Sequence, residues 1–261
     1  MQERYVNRTA YFNEQCEVTE KFILPYIERV MPVGQGMAVA EVGCGEGGNL
    51  KPFLDRGCQT VGIDLAPNKI DNAWQLFADH PLKGNLTLLT RNIYHVRPEQ
   101  LGQFDLIILR DTLEHIPNQG ELLRHLRRFL KPGGMIFVSF PSWLSPFAGH
   151  QQICSSPVLR RLPYFHLLPA KLYAGVLRLF GEGTPKVRGL LEIRDTRMYY
   201  QRFLRFAQRH EYRIAQIDFF LLNPSYEVKF NLKACRLCKL LSIPYLRDCI
   251  STTSYCLLSA S

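Results

Sequence analysis

Apolar residues in the first half of the chain fall into short continuous runs separated by stretches with helical spacing. Runs of this kind, bounded by glycine, proline or charged residues, are typical of buried strands. They lie near residues 37–42, 58–63, 86–90, 104–109 and 134–140. The amphipathic stretches between them lie near residues 47–55, 67–78 and 119–129. Strands that alternate with helices in this order predict a parallel, doubly wound α/β sheet.

The pattern changes on both sides of this alternating region. Residues 1–30 carry apolar side chains at helical spacing and predict a helical segment. Residues 143–190 contain many prolines and aromatic residues, with short helical stretches at 156–161 and 169–180. This break in the alternation predicts an inserted segment after the fifth strand.

The last part of the chain returns to patterns that fit the sheet. Residues 196–210 predict an amphipathic helix, and residues 212–222 predict a strand. Residues 250–258 predict the last strand, so that residues 223–249 form a second insertion.

The turn after the first strand carries the most informative chemistry. Residues 39–49 read VAEVGCGEGGN, an apolar run followed by an acid and a set of glycines. Glycine lets the backbone approach a ligand closely, and a helix start offers free N–H groups. Gly43, Gly45 and Gly48 also satisfy the dinucleotide-binding pattern, so an NAD-dependent oxidoreductase is an alternative. Glu41 argues for a cationic ligand group at this place, because a pyrophosphate would be repelled by a carboxylate.

Further motifs follow at regular intervals. The segment CQTVGIDLAP contains Asp64, about 20 residues after the glycines, where a carboxylate can accept hydrogen bonds from both hydroxyls of a ribose. The segments FDLIILRDTLEHIPN (104–118) and LKPGGMIFVSFPS (130–142) are strand signals joined to polar turns. In this order and spacing, residues 35–142 resemble the class I S-adenosylmethionine-dependent methyltransferases.

The resemblance implies an enzyme that transfers a methyl group from S-adenosylmethionine. It implies a doubly wound, mostly parallel, seven-stranded Rossmann-like sheet with a helical insertion that covers the substrate. Four parts of the chain follow from it: an N-terminal helical cap (1–34), the S-adenosylmethionine-binding core (35–142), the substrate-covering insertion (143–190) and the C-terminal part of the sheet with the second insertion (191–261).

The same resemblance implies a set of cofactor-binding residues. They are Glu41, Gly43, Cys44, Gly45, Gly47, Asp64, Leu65, Asn92, Ile93, Arg110 and Asp111. Asp64 is expected to hold the ribose hydroxyls, and Leu65 and Ile93 are expected to pack on the two faces of the adenine. Asn92 stands where the family often has an acid, and its side-chain oxygen can accept one hydrogen bond from the adenine amino group.

The amino-acid end of the cofactor is expected near the glycine turn. Glu41 would hold its amino group, and the main-chain carbonyls at Arg110 and Asp111 would meet the same group. The turn residues that leave room for the methionine and ribose, or offer main-chain contacts, are Gly43, Cys44, Gly45 and Gly47.

Charge is distributed unevenly along the 261 residues, whose net charge is +9. Residues 1–140 carry −1 and residues 141–261 carry +10. A basic second half suits an acidic substrate, an anionic membrane surface or nucleic acid, although it can also be a solvated face. A nucleic-acid methyltransferase is therefore an alternative, but the chain lacks the Asn-Pro-Pro-Tyr and Pro-Cys motifs of such enzymes, and nucleic acid is not the partner we expect.

Neither a spanning helix nor a leader is indicated by the sequence. No apolar run reaches about 18 residues, and the segment MQERYVNRTAYF has no signal-peptide core. These features predict a cytoplasmic protein, and the sequence leaves its oligomeric state open.

Catalysis of methyl transfer requires mainly that acceptor, methyl group and sulfur lie in line. A general base is needed only when the acceptor is an alcohol or phenol. His150 and His166 lie in the insertion and are the candidate bases for O-methylation of a small or lipid-like acceptor. His150, Cys154 and His166 lack the spacing of a zinc site, so no metal is predicted.

The insertion also indicates the character of the acceptor. Residues 143–180 combine many large apolar side chains with Arg160, Arg161, Lys171 and Arg178, and no acid appears before Glu182. Such a segment suits peripheral contact with an anionic membrane, or an amphiphilic acceptor. The alternative is that the same side chains form a roof over a pocket.

Overall fold

Eight strands form one mixed sheet in the computed structural model, which describes residues 7–260. The strands are Ala38–Val42 (β1), Gln59–Asp64 (β2), Leu86–Thr90 (β3), Phe104–Arg110 (β4), Leu130–Phe140 (β5), Tyr212–Leu222 (β6), Cys235–Arg236 (β7) and Thr253–Ala260 (β8). Their order across the sheet is β3-β2-β1-β4-β5-β8-β6-β7. Strands β1 to β5 are parallel to their neighbours, whereas β8 runs antiparallel to both β5 and β6.

This topology confirms the doubly wound, mostly parallel class I arrangement, with one addition. The sequence predicts seven strands, and the described residues contain an eighth, β7, of only two residues. It pairs antiparallel with the end of β6, where Phe220 lies opposite Arg236. The second insertion therefore extends the sheet at its edge.

The described part of the chain contains twelve α-helices. They are Arg8–Val18 (α1), Leu24–Ile27 (α2), Lys51–Asp55 (α3), Pro67–Leu76 (α4), Pro98–Leu101 (α5), Gln119–Arg127 (α6), Pro157–Arg161 (α7), Ala170–Leu179 (α8), Thr184–Thr196 (α9), Tyr200–Arg209 (α10), Ser225–Phe230 (α11) and Leu246–Ile250 (α12). A π-helical turn, Thr19–Ile23, joins α1 to α2. Helix α9 was not predicted, and α3 begins at Lys51 instead of residue 47 because Gly47 has a left-handed φ of 81°.

Both faces of the sheet are covered, because successive apolar side chains along β5 point to opposite faces. Ile136 and Val138 point into a core with α6 and α10, where Phe203 is fully buried. Phe137 points the other way, into a core with the N-terminal helices, where the Tyr26 hydroxyl donates to the carbonyl of Tyr255 at 2.7 Å. Burying each such aromatic side chain contributes roughly 1.5–3 kcal/mol, which fixes the helices on both faces.

The first insertion has a small core of its own. Leu159, Phe165, Tyr173, Leu177 and Leu190 pack together, away from the two faces of the sheet. Between residues 7 and 260, every helix is too short or too polar to cross a bilayer.

Candidate cofactor and active site

The glycine turn after β1 is shaped by backbone conformations that favour glycine. Gly43, Gly45 and Gly47 have φ angles of 76°, 56° and 81°. A Cβ on Gly43 would lie 2.6 Å from the Thr112 side chain, so the turn packs tightly beneath the end of β4. Above Gly45 the space is open, because the nearest atom, Lys69 Cδ, is 4.0 Å away. The turn can therefore form the floor of a ligand site.

Asp64 at the end of β2 is tied to this turn. Its Oδ2 accepts a hydrogen bond from the N–H of Gly45 at 2.9 Å, and its Oδ1 accepts one from the N–H of Ala66 at 2.9 Å. The Lys69 ammonium lies 3.9 Å from Oδ2. A carboxylate oxygen can accept two hydrogen bonds, so each oxygen retains capacity for a ligand hydroxyl.

Two apolar side chains stand where the adenine is expected. Leu65, directly after Asp64, is 69% exposed. Ile93 is buried at the start of a turn. Asn92 caps this turn, because its Oδ1 accepts a hydrogen bond from the N–H of Tyr94 at 3.0 Å. One lone pair of Oδ1 and the amide NH₂ group of Asn92 remain for a ligand.

Glu41 lies at the centre of a buried polar network under the turn. Its Oε1 accepts a hydrogen bond from Asn49 Nδ2 at 2.6 Å, whereas Oε2 has no hydrogen-bond partner among the described residues. The Asn49 oxygen accepts from the Arg110 guanidinium and from Thr19 Oγ1 at 3.1 Å. Arg110 also donates to Ser225 Oγ at 3.1 Å. Sequence reasoning missed Asn49, Thr19 and Ser225, because polar residues at these positions form no recognisable motif.

The charge state of Glu41 follows from this burial. Burial raises its pKa from 4.5 to about 8, although the Asn49 hydrogen bond and the Arg110 charge act in the opposite direction. The side chain is therefore mostly protonated at neutral pH. Burial likewise raises the pKa of the Cys44 thiol well above 9.0, which leaves Cys44 as an unreactive thiol under the turn.

The residue after β4 has a strained conformation. Asp111 has a φ of 50°, and its N–H donates to the carbonyl of Ser139 at 2.8 Å. A left-handed conformation is uncommon for a residue other than glycine and often marks a functional turn. Its side chain is exposed at the same edge of the sheet as the glycine turn.

His150 lies beside the turn that follows Asp111. Its ring is 4.9 Å from that of His115, and the two are nearly perpendicular. Glu114, His115 and His150 place one ligand atom each within 4.8 Å of one another. Burial raises the pKa of Glu114 and lowers that of His115. The donor atoms of these three side chains are of types that can hold a divalent cation.

His166 lies in a different environment from His150. It is fully buried, its Nε2 is 2.8 Å from the carbonyl oxygen of Trp143, and its ring packs edge-on against the Trp143 indole. Burial lowers the pKa of His166. A Cβ added at Gly149 would lie 2.3 Å from the Cβ of His166, so the two backbone segments lie close together. A general base must reach the substrate. The burial of His166 favours a structural role for this side chain, and His150 is the better placed of the two predicted bases.

The strand order, the glycine turn after β1 and the acid that ends β2 define a class I methyltransferase fold. The chain belongs to the methyltransferase domain family, whose sequence model matches residues 15–182. This membership decides between a methyltransferase and the NAD-dependent oxidoreductase that the glycine pattern left open.

Solved structures support the same fold. Magnesium protoporphyrin IX methyltransferase from Synechocystis, crystallised with S-adenosylhomocysteine, has a TM-score of 0.55 and 13% identity, with 95% of this chain and 84% of that chain covered. A TehB-like S-adenosylmethionine-dependent methyltransferase from Corynebacterium glutamicum has a TM-score of 0.50 and 14% identity, with 95% and 88% covered. At this level of identity the similarity shows the fold alone.

Curated relatives are similar mainly in the core. The ubiquinone biosynthesis O-methyltransferase of Albidiferax ferrireducens is 36% identical over 117 residues, which are 44% of this chain and 45% of the relative. The enzyme of the same name from Bordetella avium is 28% identical over 179 residues, or 64% and 70% of the two chains. The chain thus spans less than half the length of the first of these relatives.

Proposed function

We propose that the protein transfers the methyl group of S-adenosylmethionine to an oxygen atom of a small, lipid-like acceptor. The observation that carries the cofactor assignment is the Asp64 carboxylate, which is held by the Gly45 N–H and retains acceptor capacity beside the open glycine turn. The buried Oε2 of Glu41, which lacks a partner among residues 7–260, suits the cationic amino group of the same ligand. The names of the curated relatives support oxygen as the acceptor atom.

Roles for the cofactor-binding side chains follow from their positions. Asp64 accepts the two ribose hydroxyls, and Leu65 and Ile93 enclose the adenine between them. Asn92 accepts from the adenine amino group through the free lone pair of its Oδ1. The turn residues Gly43, Cys44, Gly45 and Gly47, together with the carbonyls of Arg110 and Asp111, line the methionine end.

S-adenosylmethionine, when bound, supplies an activated methyl group, so the protein needs to provide alignment and proton removal. His150 accepts the proton of the acceptor hydroxyl while the acceptor oxygen forms its bond to the methyl carbon. The neighbouring His115 ring, 4.9 Å away, orients the imidazole of His150. Burial raises the pKa of the neighbouring Glu114 carboxyl, because it penalises the charged form of that side chain.

The acceptor is expected to approach from the first insertion. Its apolar side chains divide into two sets, of which one forms the insertion core and the other remains exposed. The exposed set is Phe147, Ile153, Val158, Leu162, Tyr164, Leu167, Leu168, Leu172, Leu179 and Phe180. Arg160, Arg161, Lys171 and Arg178 are exposed among them. This surface supports peripheral contact with an anionic membrane that carries the lipid-like acceptor.

Titration calorimetry and a transfer assay test the function. S-adenosylhomocysteine should bind the purified protein, and labelled methyl groups should appear in phenols that carry a hydrocarbon tail more readily than in the same phenols without it. An absence of binding would refute the cofactor assignment. Transfer to tailless phenols at equal efficiency would refute the lipid-like acceptor.

Flotation with vesicles tests the membrane contact. Association with phosphatidylglycerol vesicles is expected at low salt and should weaken as salt screens the basic residues. A variant with Leu172→Ser and Leu179→Ser should lose association, whereas Leu82→Ser, at an exposed leucine outside the insertion, should retain it. Equal flotation of all three proteins would refute the contact.

A further inference from the structure

Arg110 is a buried cation whose hydrogen-bond partners are neutral. It is 7% exposed, and it donates to the Asn49 side-chain oxygen and to Ser225 Oγ. The carboxylate of Asp111 is 3.9 Å from its Nε, beyond hydrogen-bond distance, and is itself exposed. Glu41, the other nearby acid, is mostly protonated at neutral pH. A buried guanidinium without a bonded carboxylate is costly, and such a group is well placed to receive an anionic ligand.

The position of Arg110 identifies the part of the ligand that it meets. Strands β1 and β4 are parallel, with Glu41 opposite Ile108, so Arg110 is level with Gly43 at the start of the glycine turn. The side chain of Thr112, two residues later, packs directly against Gly43. Arg110 therefore lies at the floor of the turn where the methionine end of the cofactor is proposed to bind.

We propose that the Arg110 guanidinium binds the carboxylate of the cofactor's methionine end, while Glu41 beside it binds the amino group. This inference rests on the proposed function. The carboxylate is the single anionic group of S-adenosylmethionine, whose sulfonium and ammonium groups are both repelled by a guanidinium. Arg110 has five N–H donors, of which two are used in the hydrogen bonds to Asn49 and Ser225. Its remaining donors can meet a carboxylate in the charge-assisted geometry that arginine favours.

The second insertion gains a role from this assignment. Ser225 is the first residue of α11, and its hydroxyl accepts a hydrogen bond from Arg110. Four residues later, Lys229 forms an ion pair with Glu14 of α1 at 3.0 Å. Helix α11 thus holds the guanidinium in place and connects it to the N-terminal cap, so Ser225 acts as a positioning residue.

Two ligands separate a role in recognition from a role in folding. S-adenosylhomocysteine has the amino-acid end, whereas 5′-methylthioadenosine lacks it and shares the ribose and adenine. By calorimetry, Arg110→Met should weaken binding of S-adenosylhomocysteine about 10- to 100-fold and change binding of 5′-methylthioadenosine less than about twofold. Arg110→Lys should fall between wild type and Arg110→Met, and Ser225→Ala should weaken S-adenosylhomocysteine alone, by about threefold to tenfold.

The outcomes separate this inference from the proposed function. Arg29→Met, at an exposed arginine that pairs with Asp218, is the control and should bind both ligands normally. If Arg110→Met and Arg110→Lys weaken both ligands equally, or weaken neither, the inference is overturned while the cofactor assignment stands. If the wild-type protein binds neither ligand, the proposed function fails and the inference fails with it.

Discussion

Replacement of Glu41 by glutamine tests the electrostatics of the candidate site without any ligand. Burial raises the pKa of Glu41 from 4.5 to about 8. A group with a higher pKa in the folded state binds its proton more tightly there than in the unfolded chain. The stability that this proton contributes is therefore fully present below pH 4.5 and is lost as the pH rises through about 8. Glutamine is neutral at every pH and can still accept the hydrogen bond from Asn49.

The size of the effect follows from the change in proton affinity. At 1.36 kcal/mol for each tenfold change, the shift of Glu41 corresponds to roughly 5 kcal/mol. The window from pH 5 to pH 9 captures about 4 kcal/mol of this value, and relaxation of the site and entry of water reduce it further. We therefore expect the wild type to lose about 2–4 kcal/mol of unfolding free energy relative to Glu41→Gln between pH 5 and pH 9. This is a large fraction of the stability of a typical domain.

Urea denaturation of the ligand-free proteins at pH 5, 7 and 9 measures this difference. Comparison of wild type with Glu41→Gln removes the contributions of all other titrating groups, which are shared. Glu99→Gln, at an exposed carboxylate in the first turn of α5, is the control and should follow the wild type. Parallel pH profiles for wild type and Glu41→Gln would show that folding does not shift the pKa of Glu41 and would refute the reasoning.

Three further predictions concern single residues. Asp64→Ala should weaken S-adenosylhomocysteine binding by ~1.5–3 kcal/mol in calorimetry, because it removes charge-assisted hydrogen bonds, and unchanged affinity would refute its role. Gly43→Ala should lower the unfolding free energy by about 1–3 kcal/mol more than Gly36→Ala does, because both glycines have left-handed φ angles but only Gly43 lies against Thr112. Equal losses for the two variants would contradict the close packing of Gly43 on Thr112. His150→Ala should lower the rate of O-methylation by ~10²–10⁴ with the KM for the cofactor retained, and an unchanged rate would show that alignment alone suffices.

The parts of the site that could be predicted from sequence are those encoded locally. The glycines at 43, 45 and 47 and the acid at 64 each lie at the end of a strand whose apolar run is unmistakable. The left-handed φ angles at the three glycines follow from the same short segment. A turn of this kind is specified by its own residues and the strand before it, so no distant contact was needed to recognise it.

The network beneath the turn could not be found in this way. Arg110 bonds to Asn49 across 61 residues of sequence and to Ser225 across 115. Sequence reasoning considered Arg110 for its main-chain carbonyl alone, because nothing local indicates where a long side chain is directed. Tertiary packing brings these residues together, and only the folded chain shows that Ser225 of the second insertion bonds to Arg110.

The two candidate histidines illustrate the same difference. His150 and His166 lie in similar stretches of small, aromatic and apolar residues, and sequence alone gave no reason to rank them. Their environments diverge because Gly149 allows the backbone to approach His166 and bury it, while His150 turns outward in a left-handed conformation toward His115. The difference between the two histidines depends on how the insertion folds back on itself, and the hydrophobic pattern of the sequence does not indicate this.

The charges of the candidate site have a common explanation. A buried acid that ionises only at raised pH and a guanidinium with neutral partners each lack a partner of opposite charge. A zwitterion placed between them would supply an ammonium to the carboxylate and a carboxylate to the guanidinium, so that both costs fall together on binding. A ligand with one charge would relieve only one of the two groups. We therefore expect the candidate site to favour a ligand with an amino-acid end, which a nicotinamide dinucleotide, with its pyrophosphate, does not have.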